Sequence, residues 1–468
     1  MDTIQKTKDE LEGQPPIPLR VGEVHEDTTY DAVFGEMNEQ GPNYRNVGFL
    51  GTVALMMKTQ VGLGVLSIPA AFDTLGLIPG ALCLCAAAII TTWSDYMIGV
   101  FKLAHRTVYG IDDAGGLMFG VIGRYVLGIA FCLYWIFVAG SGMLGISIGL
   151  NAVSTHGACT AVFLAIACII GFIFGSIQTL GRLAWLAWVG VVCIVTSILI
   201  MTISVGVQDR PASAPQDGVW VSDFKLIGNP SFTEAISAVS ALVFAYAGTP
   251  GFFSIVSEMR DPRYYTRALV ICQASITALY IAIGCVVYYY CGSYVASPAL
   301  GSAGATMKKV SYGVALPGLM VTTTLFVHLP GKYIFVRALQ GSRHLTENTI
   351  IHWVTWLGCT LGVAVIAYII ASAIPVFDNL ISLIGALLGT LLSFQPMGCM
   401  WLYDNWTKGK AAKSKKWMFG VGWNVFVVLI GTFLMISGTY GSIVTIIESY
   451  NGATGASAWS CADNSNSA

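Results

Sequence analysis

The sequence predicts an all-α polytopic membrane protein of eleven transmembrane helices, with two inverted halves of five and one helix added. Three observations carry that prediction. Hydrophobic residues make up 55% of the 468 and charged residues 10%, against roughly 25% charged in soluble domains. Apolar segments close to the ~20 residues that cross a bilayer recur along the chain. Two of these segments, five spans apart, are interrupted at mid-depth by glycine and proline.

Residues 1–47 are polar, rich in carboxylates, and carry prolines at 15, 16 and 18. No apolar core of a signal peptide occurs there, so a disordered cytosolic tail is expected. The membrane-embedded body follows over 48–446. Its apolar segments lie at 48–72, 77–103, 120–150, 160–176, 184–206, 231–258, 267–291, 311–338, 349–374, 377–398 and 417–446. The first five make one repeat, about 48–206, and the next five a second, about 231–398. The segment 417–446 is the extra helix, and 447–468 a tail on the far side. Stretches 268–291 and 423–446 hold no charge. A turn at Pro375 separates the ninth and tenth segments.

Basic residues orient the chain. With the N-terminus inside, 15 lysines and arginines fall at inner loops and helix ends, including Lys332, Arg337 and the cluster Lys408, Lys410, Lys413, Lys415 and Lys416. Only four (Arg210, Lys225, Lys308, Lys309) fall outside. The N-terminus is therefore expected in the cytosol and the C-terminus outside. Asn405-Trp-Thr matches a glycosylation acceptor, but on the cytosolic side, where it would go unused. The lysine cluster reads first as this orientation signal and second as contact with anionic lipid.

A net charge of −1 and the absence of a basic and aromatic surface pattern argue against a nucleic-acid partner. The 12 cysteines are mostly mid-helix and form no metal-ligand pattern, so no metal and no cofactor is expected. Cys159, Cys291 and Cys461 share one predicted face. A single disulfide there is expected as Cys159–Cys291.

The first interruption is Lys58-Thr-Gln-Val-Gly-Leu-Gly-Val-Leu-Ser-Ile-Pro69. Gly62, Gly64 and Pro69 weaken a helix, since glycine loses the most entropy on ordering and proline lacks a donor. Unwinding is expected around 62–66. The second is Phe244-Ala-Tyr-Ala-Gly-Thr-Pro-Gly251, with Glu258 at its inner end. Taken alone, either interruption reads equally well as an ordinary kink or packing site in a membrane helix. As a matched pair in two inverted halves they point to the binding site of a secondary transporter. Unwound backbone is tolerated at membrane depth only against protein or a watery cavity. Free N–H groups and the positive end of a half-helix suit a carboxylate, and free carbonyls suit an ammonium. A zwitterionic amino acid matches both.

At these residues the chain resembles the amino acid/auxin permease family, with the fold of bacterial leucine transporters. Gly62-Leu-Gly-Val-Leu-Ser-Ile-Pro69 is similar to the family's first-helix signature, and Phe244–Glu258 to its sixth-helix pattern. The long N-terminus is most similar to neutral amino acid permeases of filamentous fungi, the methyltryptophan-resistance type. The resemblance implies that the backbone of Gly62, Leu63, Gly64 and Val65 holds the carboxylate. Phe244, Ala245, Tyr246, Ala247 and Gly248 would receive the amino group and line the side-chain pocket. It further implies import of neutral aliphatic and aromatic amino acids.

Lys58 bears on the driving ion. A charge at mid-membrane costs roughly 2.5–3.5 kcal/mol and normally faces the protein interior. Lys58 lies one turn before Gly62 on the same face. By the resemblance, its ammonium would stand where sodium-coupled relatives bind sodium, opposite Thr322, Thr323 and Thr324. That favours protons over sodium, because a desolvated lysine changes protonation readily. The plainer reading is a lysine snorkelling to the interface. His328 titrates near neutrality but reads more simply as a satisfied buried histidine. Asp95 reads as a polar helix contact, and Glu258 as an ion pair with neighbouring Arg260 and Arg263. The functional reading is a plasma-membrane proton symporter working by alternating access. A vacuolar exporter of the same fold and an amino acid sensor stand as alternatives. No nucleophile–base motif supports an enzyme and no ring-forming pore repeat a channel.

Overall fold

A computed structural model of the chain describes residues 29–31, 35–37, 45–211, 213–215, 217–345, 347–374, 376–412, 414–451, 459 and 461–465. The prolines at 15, 16 and 18, the turn at Pro375 and Lys413 lie outside the described residues. Within the N-terminal tail, Thr29–Asp31 (β1) pairs antiparallel with Gly35–Met37 (β2), Thr29 opposite Met37. The body begins at 45–47. Val47 is buried and bridges in parallel to Met259.

The first span is Phe49–Gln60 (α1), a short turn at Gly64–Leu66, and Ile68–Leu75 (α2), bent by 42°. Pro69 falls in the first turn of α2, where a missing N–H costs nothing. Gly76 then turns the chain with φ 89°; a side chain there would strike the backbone of Gly228. Next come Leu77–Ala104 (α3), Ile111–Ser154 (α4), Thr160–Gly175 (α5) and Leu180–Val207 (α6). The expected start of the third span, at 120, coincides with a break in α4 at Gly120, whose φ of 68° suits glycine. Residues before it form a separate helical stretch.

The second half repeats the pattern. Phe232–Ala245 (α7) and Thr249–Ser257 (α8) make the broken sixth span. Tyr265–Cys291 (α9), Ala305–Leu339 (α10) and Ile350–Ala373 (α11) follow. The tenth span is irregular: Phe377–Ile384 (α12), a wide turn at Gly385–Gly389, Thr390–Ser393 (α13) and Gln395–Ala412 (α14). Lys415–Asn451 (α15) is the extra helix. Among the described residues, nine helices are long and apolar enough to span, and the bent α1–α2 pair makes a tenth. The expected fourth span, α5, has only 16 residues. That is short of the ~20 a full crossing needs, so the count of eleven is not fixed by length and apolarity.

Burial decides the layering. In Phe232–Ser257, 94% of the apolar window is buried, against 17% in Lys415–Tyr450. The broken sixth span is thus central, and α15 is peripheral, with Phe419, Leu429 and Ile436 turned outward.

The expected disulfide is corrected. Cys159 is bridged to Cys461, 302 residues away, while Cys291 is a buried free thiol at the end of α9. The C-terminal segment folds back to make this pairing. Ala462 O accepts from Thr160 Oγ1 at 2.7 Å, and the Asn464 side chain bonds Asn151 at 2.7 Å and Ser147 at 3.0 Å. A helix-end position for Cys291 gave no hint of this, because the bonds that dock the tail come from α4, α5 and, through Lys308 Nζ to Ser465 O, α10.

Candidate functional site

The two interruptions meet. Gly64 packs so closely on the second break that a Cβ there would sit 2.5 Å from Ala245 Cα. One at Gly248 would sit 2.6 Å from Thr59 Oγ1. Tyr280 of α9 ties the breaks together: its hydroxyl lies 2.8 Å from Gln60 O and 2.9 Å from Ala245 O. Tyr134 of α4 donates to Ala247 O, and Tyr246 reaches Thr277 at 3.2 Å. The helical ladders end at Gln60 and Ala245 because the glycines that follow cannot hold them.

All the expected substrate-contacting residues, Gly62–Val65 and Phe244–Gly248, converge on this junction, and all are buried. The N–H groups of Gly62 to Val65 fall between the ladders of α1 and α2. Ser67 Oγ donates to Gly64 O at 2.9 Å. Two carbonyls expected to meet an amino group, those of Ala245 and Ala247, already accept from tyrosines, although each carbonyl retains a second lone pair. Both polar atoms of the Gln60 side chain are buried at the junction without a partner. Sequence reading missed Gln60, Tyr134 and Tyr280. Each sits in an apolar run where its polar atom gives no periodic signal.

Lys58 is fully buried. Its ammonium donates to Val61 O at 3.2 Å, at the lip of the first break, and its stem lies against Gly190 of α6, where a Cβ would be 2.7 Å from Lys58 Cε. It therefore does not snorkel. Thr322, next to Val321 on that face of α10, packs on Gly62. Thr323 instead faces Gly142 of α4, and the Thr324 carbonyl faces Gly175 of α5. His328 is away from the junction, its Nδ1 3.4 Å from Gly175 O and its ring edge-on to Trp356.

The expected partner of Glu258 is corrected too. Its carboxylate pairs with buried Lys332 of α10 and accepts from Leu180 N at 3.4 Å. Arg260 reaches out to Asn46 at 2.9 Å, and Arg263 folds onto Asp261 at 3.1 Å. A buried carboxylate takes the buried ammonium, while the sequence neighbours stay in solvent. Val47 N donates to Glu258 O at 3.1 Å and Ser257 Oγ to Tyr109 O at 3.1 Å. The α8 end of the broken span is thereby closed. On the opposite side of the break a cavity of about 220 Å³ reaches Ser67 at the head of α2, between Glu234, Ser237 and Asp378.

Comparison with known proteins gives the family and the fold. Residues 45–444 match the family described as transmembrane amino acid transporter protein. The chain is 33% identical to a transmembrane transporter of Gibberella moniliformis, covering 92% of this chain and 91% of that one. It is 30% identical to the N amino acid transport system protein of Neurospora crassa, covering 91% of each. Among solved structures it resembles MhsT in complex with L-phenylalanine, with a TM-score of 0.53 at 11% identity, covering 86% of this chain and 98% of that one. A Na⁺-coupled sialic acid symporter aligns with a TM-score of 0.51 at 12% identity, over 87% of this chain and 93% of that one. These two likenesses show the leucine-transporter fold. The chain belongs to the family of transmembrane amino acid transporters that its two interrupted helices resemble.

Proposed function

We propose that this transporter imports neutral amino acids, aliphatic and aromatic, by proton symport across the plasma membrane. The observation that carries the substrate class is the meeting of the two breaks. The N–H groups at 62–65, between the ladders of α1 and α2, offer a seat for a carboxylate, and the carbonyls of Phe244–Ala247, past the end of α7, one for an ammonium. The side chains beside them, Leu63, Val65, Phe244 and Tyr246, are uncharged, which supports a neutral substrate side chain. The N amino acid transport system protein of Neurospora crassa supports an amino acid as the substrate.

Lys58 supports protons over sodium. Its ammonium places a positive charge at the first break, bonded to Val61 O, where a sodium ion would otherwise be needed. Opening and closing around the junction gives alternating access, with the Glu258–Lys332 pair closing the cytosolic side. His328 lies too far along α10 to touch substrate and is assigned a packing role.

Uptake of radiolabelled phenylalanine and leucine into proteoliposomes tests this reading. Accumulation driven by a proton gradient without sodium is expected of the wild type, and loss of it in Lys58→Asn. A wild type that requires sodium would sink the reading.

A further inference from the structure

Three carboxylates are fully buried among the described residues: Asp95, Asp112 and Glu258. Glu258 is paired with Lys332, and Asp112 with Arg337. Asp95 has neutral partners only. Gln273 Nε2 donates to its Oδ2 at 2.5 Å, while Oδ1 makes no hydrogen bond. Thr249, the first residue of α8, turns its hydroxyl toward the same carboxyl.

We propose that Asp95 takes up and releases the coupled proton, with α8 making its protonation depend on transport. The proposal rests on the proton-symport reading above. An unpaired carboxylate is costly to hold away from water inside a membrane protein. In this closed arrangement a bound proton is the charge that neutralises it. The titratable groups facing it from α9 are Tyr265, whose hydroxyl donates to Asp95 O at 2.8 Å, and the Cys272 thiol. From α8 it meets Thr249. The acid on α14, Asp404, is engaged with His105, and no lysine, arginine or histidine among the described residues pairs with Asp95.

The same site touches the substrate junction twice. Gln273 and Tyr280 are seven residues apart, two turns along one face of α9, and Tyr280 bridges both breaks. Thr249 begins the half-helix that follows the second break. A movement of α8 that opens the junction therefore uncovers Asp95. The proton enters from the side of high proton activity, crosses with the substrate, and leaves when water reaches the carboxylate.

The test uses the full chain in proteoliposomes, with leucine counterflow at zero gradient beside leucine accumulation under an imposed proton gradient and potential. One charge moved per substrate supports about 50-fold accumulation per 100 mV. Asp95→Asn keeps the bond to Gln273 and cannot lose a proton there. It is expected to retain counterflow while accumulation collapses to about 1-fold, and uptake should no longer vary with pH. Wild-type accumulation and pH profile in Asp95→Asn would overturn the proposal. If Asp95→Asn loses counterflow as well, Asp95→Glu decides. Restored accumulation with a displaced pH profile supports the assignment, and a variant as inactive as Asp95→Asn makes the residue structural and overturns it. A wild type that ignores the proton gradient fails the parent reading first, before any variant is measured.

Discussion

At Gly64 a single hydrogen atom sets how near two helices come. A methyl group there would lie 2.5 Å from Ala245 Cα, which is backbone and cannot rotate away. At Gly62 the nearest atom is the Thr322 methyl at 3.2 Å, the end of a side chain. Overpacking of this kind costs about 1–3 kcal/mol, so Gly64→Ala is expected to lower the melting temperature and weaken substrate binding more than Gly62→Ala. Thermal unfolding and leucine binding in detergent check the order, and the reverse order would contradict the close approach of the breaks. The glycines were visible in the sequence as helix breakers. That Gly64 must stay small because of Ala245 was not, since the two positions are far apart in the chain.

Between elements, the pairing of α8 with α10 through Glu258 and Lys332 is the main closure at that end. Removing one partner of a buried pair leaves an uncompensated charge and costs about 3–5 kcal/mol, while replacing both with apolar residues is often neutral. Glu258→Leu and Lys332→Met are each expected to destabilise strongly, and the double variant to recover most of the loss. A double-mutant cycle read by thermal unfolding measures this coupling; additive effects would show that the two charges act independently. The double variant also separates stability from the proposed gating, because it restores packing without restoring the attraction between Glu258 and Lys332. The sequence offered Arg260 and Arg263 as nearer partners for Glu258. Only the fold shows that both turn to the surface, onto Asn46 and Asp261.

For the molecule as a whole, the bridge from Cys159 to Cys461 ties the segment after α15 to the start of α5. Disulfides persist on the oxidising side of a membrane, which supports the orientation drawn from four basic residues outside against 15 inside. On intact cells, a membrane-impermeant reductant followed by an impermeant maleimide is therefore expected to label wild-type protein at Cys159 and Cys461. Without reduction, Cys461→Ser is expected to label at Cys159 alone. Labelling only after the membrane is opened would invert the topology.

The sequence by itself determined the membrane class, the position of both breaks and the family. Apolar length, glycine and proline act locally, and their effects do not depend on what packs nearby. The tertiary structure alone decided the pairings: Gly64 with Ala245, Tyr280 across both breaks, Glu258 with Lys332, Cys159 with Cys461, and Asp95 with Gln273 and Thr249. In a chain this apolar, most helices carry interchangeable hydrophobic faces, so the identity of a buried polar group's partner is fixed by helix packing and leaves no trace in sequence spacing.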